Sequence, residues 1–261
     1  MKNKQGKQKL FAEARRKEIS ELIRANGSVS VEELSEHFGV SAATIRSDLR
    51  TMDRQGMLER THGGAVSNYK VGYELNTAQK GERFVAEKSS IADAVIRLIN
   101  DGDTIAMDTG TTTFEVAKRL IVKKNLTVVT NDIRIASWLD AHTDFQIILA
   151  GGVLRKSFNC TGGSRTLDVL GSLHLDIAII ATNGISLEKG LTTPSIEVAV
   201  PKTAMVKSAK KVIAVFDHSK IDHDAFVRFA SIDDIDIFGT DAKADPEFTR
   251  ALGQRGIIVH T

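Results

Sequence analysis

The sequence predicts an α/β protein in two parts: a small N-terminal winged helix-turn-helix, and behind it a larger domain built on a mostly parallel sheet. Three observations predict it. Two short, cappable helices meet at Gly39 near the N-terminus. From residue 86 to the end, apolar runs of strand length alternate with amphipathic helical stretches, a pattern that builds a parallel sheet covered on both faces. Between the two lies a polar stretch with no sustained period, so the expected boundaries are 1–66, a linker at 67–85, and 86–261.

Composition narrows the function classes. Of 261 residues, 42% are hydrophobic and 26% charged, with 20 Gly and 3 Pro, which excludes collagen-like, mucin-like and disordered chains. The one cysteine, Cys160, cannot close an internal disulfide and is too little for a cysteine-based zinc site, which points to a reducing compartment, the cytoplasm. The basic N-terminus is followed by no apolar run of signal-peptide length, and no stretch approaches the ~20 apolar residues of a membrane span, so no membrane partner is expected. Residues 1–70 hold 13 Lys/Arg against 9 Asp/Glu, and the remainder 22 against 24. Lys2, Lys4, Lys7, Lys9, Arg15, Arg16 and Lys17 face only Glu13. A basic arm on a small domain suits a polyanion, although a bare lysine run fits a solvated tail equally well.

The elements follow in order. Ile19, Leu22 and Ile23 give residues 11–25 a helical stripe, and Gly27 stops it. Ser30-Val31-Glu32-Glu33 reads as a capping box for a short helix carrying Val31, Leu34 and Phe38 and ended by Gly39. Ser41 caps a third helix whose apolar stripe is Ile45, Leu49 and Met52. Opposite that stripe stand Ala43, Ser47, Arg50 and Arg54, flanked by Arg46. Small residues at the start of the helix permit close approach to a groove, and arginines can reach guanine edges or phosphates. Periodicity alone fits an ordinary solvated face as well. Residues 56–66 then give two extended runs around Gly63-Gly64, a wing.

Arg15, Ile19 and Ile23, the run Ser41-Ala42-Ala43-Thr44-Ile45-Arg46-Ser47-Asp48-Leu49, and Arg60-Thr61-His62-Gly63-Gly64-Ala65 together resemble the DeoR-type bacterial transcription regulators. The resemblance implies DNA contact by Arg15, Arg16, Ser41, Ala42, Ala43, Thr44, Arg46, Ser47, Arg50, Arg54 and His62. Ser47 is a departure, because the family usually carries a second basic residue there.

In the second part, strands are expected at 104–108, 126–130, 145–150, 175–181, 211–216, 235–239 and 257–260, with helical stretches between most of them, as around Phe114, Ala117 and Leu120. Ligands of such sheets bind at the carboxyl ends of the strands. After the first strand stands Asp108-Thr109-Gly110-Thr111-Thr112-Thr113, a tight turn into a helix whose hydroxyls and free N–H groups suit a phosphate or other anion. The same run could simply cap the helix. Neither a Walker loop nor a G-x-G-x-x-G fingerprint occurs, and no cofactor is expected. Other strand ends supply Thr130-Asn131-Asp132, Gly151-Gly152 with Arg155, Thr182-Asn183-Gly184, then Glu197 and Lys202, and Asp217-His218-Ser219-Lys220.

This order resembles the sensor domain of the same regulators, itself similar to sugar-phosphate isomerases and CoA transferases of the ribose-5-phosphate isomerase type. The resemblance implies that Asp108, Gly110, Thr111, Thr112, Thr113 and Lys220 hold an effector's phosphate. It implies that Asn131, Gly151 and Gly152 line the pocket, with Asn183, Glu197 and Lys202 at family positions. Asn183 is a second departure, standing where the regulators usually have Asp. Asn cannot act as a general base, which favours binding over turnover, and it can donate as well as accept. No catalytic residue is therefore expected. Asp217, Asp222, Asp224, His218 and His223 could suggest a metal, but a polar loop explains them better. Trp138 and most Phe residues read as core.

The expectation is a cytoplasmic repressor of a sugar-metabolism operon that binds operator DNA and responds to a phosphorylated sugar or related metabolite. One such DNA-binding domain covers a short half-site, so a homodimer or larger assembly is expected. The alternatives are a sugar-phosphate isomerase or deaminase with an accessory DNA-binding domain, and a constitutive DNA-binding protein whose larger domain only oligomerises.

Overall fold

The computed structural model describes residues 2–54, 57–61, 63–66, 74–255 and 258–260, with backbone alone for 2–11, 24, 25, 59 and 258–260. The chain forms two compact units, Met1–Glu74 and Leu75–Thr261. The first contains α1 (Lys2–Asn26), β1 (Ser28–Ser30), α2 (Val31–Phe38), α3 (Ala42–Arg54), β2 (Glu59–Arg60) and β3 (Gly64–Val66). The Ser30 hydroxyl accepts the Glu33 N–H at 3.1 Å and the Glu33 carboxylate accepts the Ser30 N–H at 2.8 Å, the reciprocal pair that starts α2. Gly39 ends it at φ 61°, a left-handed conformation that glycine takes without a Cβ clash. The apolar stripes converge: Ile19, Ile23, Leu34, Ile45, Leu49, Met52 and Leu58 are all buried in one core. The expected wing forms as β2 against β3, but it is a three-stranded antiparallel sheet in the order β1-β3-β2. β1 and β3 approach so closely that a Cβ on Gly64 would lie 2.0 Å from the Val29 carbonyl oxygen.

The second unit runs α4 (Thr77–Gly81), α5 (Val85–Val95), β4 (Thr104–Met107), α6 (Thr111–Arg119), β5 (Thr127–Thr130), α7 (Ile133–His142), β6 (Gln146–Leu149), β7 (Val153–Arg155) and β8 (Cys160–Gly162). It continues through α8 (Ser164–Gly171), β9 (Leu175–Ala181), β10 (Gly184–Ser186), β11 (Gly190–Thr193), α9 (Ile196–Ser208), β12 (Ala209–Val215), β13 (Val227–Ala230), β14 (Ile237–Gly239), α10 (Pro246–Gln254) and β15 (Ile258–His260). Every strand expected from the sequence joins one seven-stranded sheet, β15-β14-β12-β9-β4-β5-β6, and every pairing in it is parallel. Alternate residues serve opposite faces. Ile105, Met107, Ile177 and Ile179 pack with α5, α6 and α7, while Ala106, Ala178 and Ile180 pack with α8, α9 and α10. The strand order reverses between β4 and β9, with β5 and β6 laid down on one side and β12, β14 and β15 on the other.

Part of the segment expected as linker is ordered. Asn76 caps α4 through a reciprocal pair with Gln79, so residues 75–85 belong to the second unit. The Asn-x-x-Gln box is a polar pattern with no apolar period behind it, which is why it reads as linker. Two small antiparallel pieces also lie outside the alternation, the sheet β10-β11-β13 and the hairpin β7-β8. Among the described residues, no helix is long and apolar enough to cross a membrane.

Candidate nucleic-acid interface and strand-end crevice

α3 carries the first candidate site. The Ser41 hydroxyl accepts the Thr44 N–H at 3.2 Å and fixes the first turn. Ile45, Asp48, Leu49 and Met52 are buried, whereas Ala43, Arg46, Ser47, Arg50 and Arg54 are exposed together on the other side. The one-sided helix expected from the spacing is therefore present. Ala42 differs, since it packs against the core beside Phe38 and Val40. Arg15 and Arg16, both partly exposed, pair with the Asp48 carboxylate at 2.6 and 3.3 Å. A buried carboxylate needs a partner, and these two arginines supply it, tying α1 to α3. His62 lies outside the described residues.

The second candidate site sits at the carboxyl ends of β9, β4 and β5, where the strand order reverses. Open parallel sheets bind ligands at such a point because the loops on either side diverge and leave a crevice. Asp108 follows β4 and is 1% exposed. One of its carboxylate oxygens, Oδ2, pairs with Lys202 Nζ from α9 and accepts the Ala181 N–H at 3.0 Å. Lys202 Nζ also donates to the Ala181 carbonyl at 2.8 Å. Burial pushes the Asp108 carboxyl up, against the pull of Lys202 and of the Ala181 and Thr109 amides. The other oxygen, Oδ1, is buried without a hydrogen-bond partner among the described residues.

Asn131 follows β5 and is also buried. Its Nδ2 donates to the Thr161 carbonyl of β8 at 2.9 Å, while its Oδ1 has no partner among the described residues. Asp132 is fully used: Oδ1 caps α7 through the Arg134 and Ile135 N–H groups, and Oδ2 accepts the Thr109 hydroxyl at 2.8 Å. The hairpin β7-β8 is fastened to this end of the sheet. Thr161 donates from its N–H to the Asn131 carbonyl at 2.9 Å and from its hydroxyl to the Ala150 carbonyl at 2.5 Å. Gly152 leads into the hairpin, and a Cβ there would lie 2.3 Å from the Gly162 carbonyl oxygen. The Gly151 carbonyl takes the Thr166 hydroxyl at 2.7 Å. Burial pushes the Cys160 thiol up, which keeps it an inert thiol.

At α6, Gly110 supplies no side-chain cap, so the first N–H groups and the positive end of the helix dipole stand at the strand ends without a capping side chain. The Thr113 hydroxyl is spent on the Gly110 carbonyl at 3.0 Å. Thr111 and Thr112 are 9% and 6% exposed. Arg134 joins this group without having been singled out from sequence. It lies with its guanidinium 4.0 Å from the Phe114 ring centroid and donates to the Gly110 carbonyl at 3.4 Å. Its signal was position: it is the first cation after a polar strand end.

Three expected residues stand differently. The Asn183 Oδ1 accepts the Thr193 hydroxyl at 3.0 Å, which ties it to β11. Glu197 is exposed in the first turn of α9, and Lys202 is buried further along the same helix. Lys220 follows the carboxyl end of β12, the neighbour of β9 in the sheet, and donates to the Ser219 hydroxyl at 3.1 Å. Burial would push the Asp217 carboxyl up, but Lys220, Ser219 and Lys88 outweigh it and hold it low. Lys88, from α5, is 4% exposed and donates to the Lys80 and Arg83 carbonyls, each at 2.5 Å.

Residues 15–71 match the family described as the DeoR-like helix-turn-helix domain, and residues 83–242 the DeoR C terminal sensor domain. The chain is 37% identical over 245 residues to the HTH-type transcriptional regulator GlpR of Haloferax volcanii, spanning 94% of this chain and 96% of that protein. It is 38% identical over 227 residues to the glycerol-3-phosphate regulon repressor of Escherichia coli, spanning 86% and 88%. It is 32% identical over 249 residues to the HTH-type transcriptional repressor GlcR of Bacillus subtilis, spanning 95% of each. Among solved structures, ribose 5-phosphate isomerase from Plasmodium falciparum aligns over 51% of each chain at 19% identity and a TM-score of 0.37.

Proposed function

The chain belongs to the DeoR family of DNA-binding transcription repressors with a sugar-phosphate-sensing domain, and we propose that its strand-end crevice holds the phosphate ester that sets its hold on operator DNA. The uncapped N-terminus of α6 at the reversal of strand order carries this reading. Free N–H groups there attract an anion without needing a dedicated lysine. The phosphate lies against Gly110, Thr111 and Thr112, and Arg134 adds positive charge beside them. The DNA face is the exposed side of α3, from Ala43 to Arg54, and the basic arm contributes contacts to the phosphate backbone that carry no sequence information. The protein acts in the cytoplasm as a homodimer or larger assembly on repeated half-sites. It binds its effector without turning it over, and no residue is assigned a catalytic role.

One relative is named a glycerol-3-phosphate regulon repressor, which puts phosphate esters of small polyols first in the order of testing. The experiment is thermal melting against glycerol 3-phosphate and triose, pentose and hexose phosphates. An ester at 100 times its Kd adds about 2.7 kcal/mol to stability. A panel in which no ester raises the melting temperature contradicts the sensor reading and leaves the second unit as an assembly module.

A further inference from the structure

β6 is the last strand on its side of the seven-stranded sheet. It pairs with β5 alone, and the backbone geometry fixes which of its groups are used. The Gln146 N–H donates to the Leu126 carbonyl at 3.1 Å and the Ala150 N–H to the Thr130 carbonyl at 2.8 Å. Alternate residues of a strand turn their backbone groups to opposite sides, so Ile147 and Leu149 turn theirs to the outer edge, where no strand lies among the described residues. Natural sheets blunt such an edge with a lysine, a proline or a bulge. Gln146-Ile147-Ile148-Leu149 carries no charge and no proline, and its register with β5 is unbroken. Exposed apolar side chains gather here as well: Leu149, Val153 and Leu154 are 45%, 78% and 53% exposed within six residues of chain. Apolar surface gathered on an open edge marks a contact with another chain.

We infer that the outer edge of β6 is a twofold contact between two copies of this chain, in which β6 pairs antiparallel with its own copy about an axis at Ile148. This rests on the protein assembling with itself, and it says which surface joins the copies. The strand complements itself in this register. Ile147 exchanges both backbone hydrogen bonds with the partner's Leu149, and Leu149 exchanges both with the partner's Ile147. Their side chains meet in apolar pairs on the face shared with α7, while Ile148, which packs on the α8 face, meets the partner's Ile148. An unrelated strand would satisfy the backbone; a copy of β6 satisfies the backbone and every apolar side chain of the strand. A twofold contact of this kind uses one patch on both copies and closes on itself, as two DNA-reading units on repeated half-sites require.

Sedimentation and cross-linking of the full chain test this. Leu149→Lys places a charge at an exposed position of the edge and halves the sedimenting mass across the micromolar range, whereas Phe226→Lys, at another exposed apolar position outside the seven-stranded sheet, leaves the mass unchanged. Ile148→Cys cross-links to its own copy under mild oxidation, because facing residues at the axis lie about 4.5 Å apart, within disulfide reach. Leu149→Cys does not, because the two copies of residue 149 stand one residue to either side of the axis, more than about 7 Å apart. The wild type, whose single thiol is buried, is the control. An oligomer that Leu149→Lys leaves intact, or that gives no cross-link in Ile148→Cys, overturns the β6 contact while self-assembly stands. A wild type that sediments as a monomer across that range removes self-assembly and the contact with it.

Discussion

Asp48 shows how one side chain on α3 is turned into the core while its neighbours stay outward. It is 5% exposed and clamped by Arg15 and Arg16, and the turn that buries it leaves Arg46, Ser47 and Arg50 outward. Arg46→Ala should cost about 1–3 kcal/mol of operator affinity in a gel-shift titration if Arg46 reads a base, with an unchanged affinity ruling α3 out as the reader. Lys88 makes a different kind of prediction. Burial pushes its ammonium down to about 8 from an ordinary 10.5. Between those values the unfolded chain holds a proton that the folded chain has released, so this residue's contribution to stability rises with pH across that window and is flat below it. The difference in unfolding free energy between wild type and Lys88→Met should therefore climb by roughly 1–3 kcal/mol from pH 8 to pH 10 in urea titrations. A difference that stays level means Lys88 titrates normally.

Elements with a strong local pattern were legible before the structure, and elements made by distant pairing were not. α2 and α3 announced themselves through Ser30, Glu33, Gly39 and an apolar stripe each, all within one helix length. The seven parallel strands were legible because burial on both faces demands continuous apolar runs. β1 has three residues and one buried side chain, Val29, and exists because Gly64 lets β3 lie against it. No local pattern encodes that. The crevice divides the same way. Asp108, Asn131 and the α6 turn were marked by falling after strands, whereas Arg134 and the use of Arg15 and Arg16 as partners of Asp48 depend on which helices meet. Gly64→Ala tests the closest of these distant contacts. A methyl there must part β1 from β3, and overpacking of this kind costs about 1–3 kcal/mol. Amide hydrogen exchange should quicken at residues 28–30 and 64–66 while β4, β9 and β12 keep their protection. Unaltered exchange at 28–30 would contradict the three-stranded wing sheet.

At the scale of the whole molecule, a DNA-reading unit and a sensor unit are joined in one chain, and each has its own buried core. Regulation requires that the effector bind the operator-free and operator-bound protein unequally, since a ligand with equal affinity for both states shifts nothing. The coupling typical of such systems is about 1–3 kcal/mol, and by linkage operator DNA must change effector affinity by the factor with which effector changes operator affinity. Calorimetric titration with the phosphate ester that gives the largest melting shift, on free protein and on protein saturated with operator, measures that factor directly. The account predicts two effector affinities that differ by about 5- to 150-fold. Equal affinities in the two titrations would contradict it.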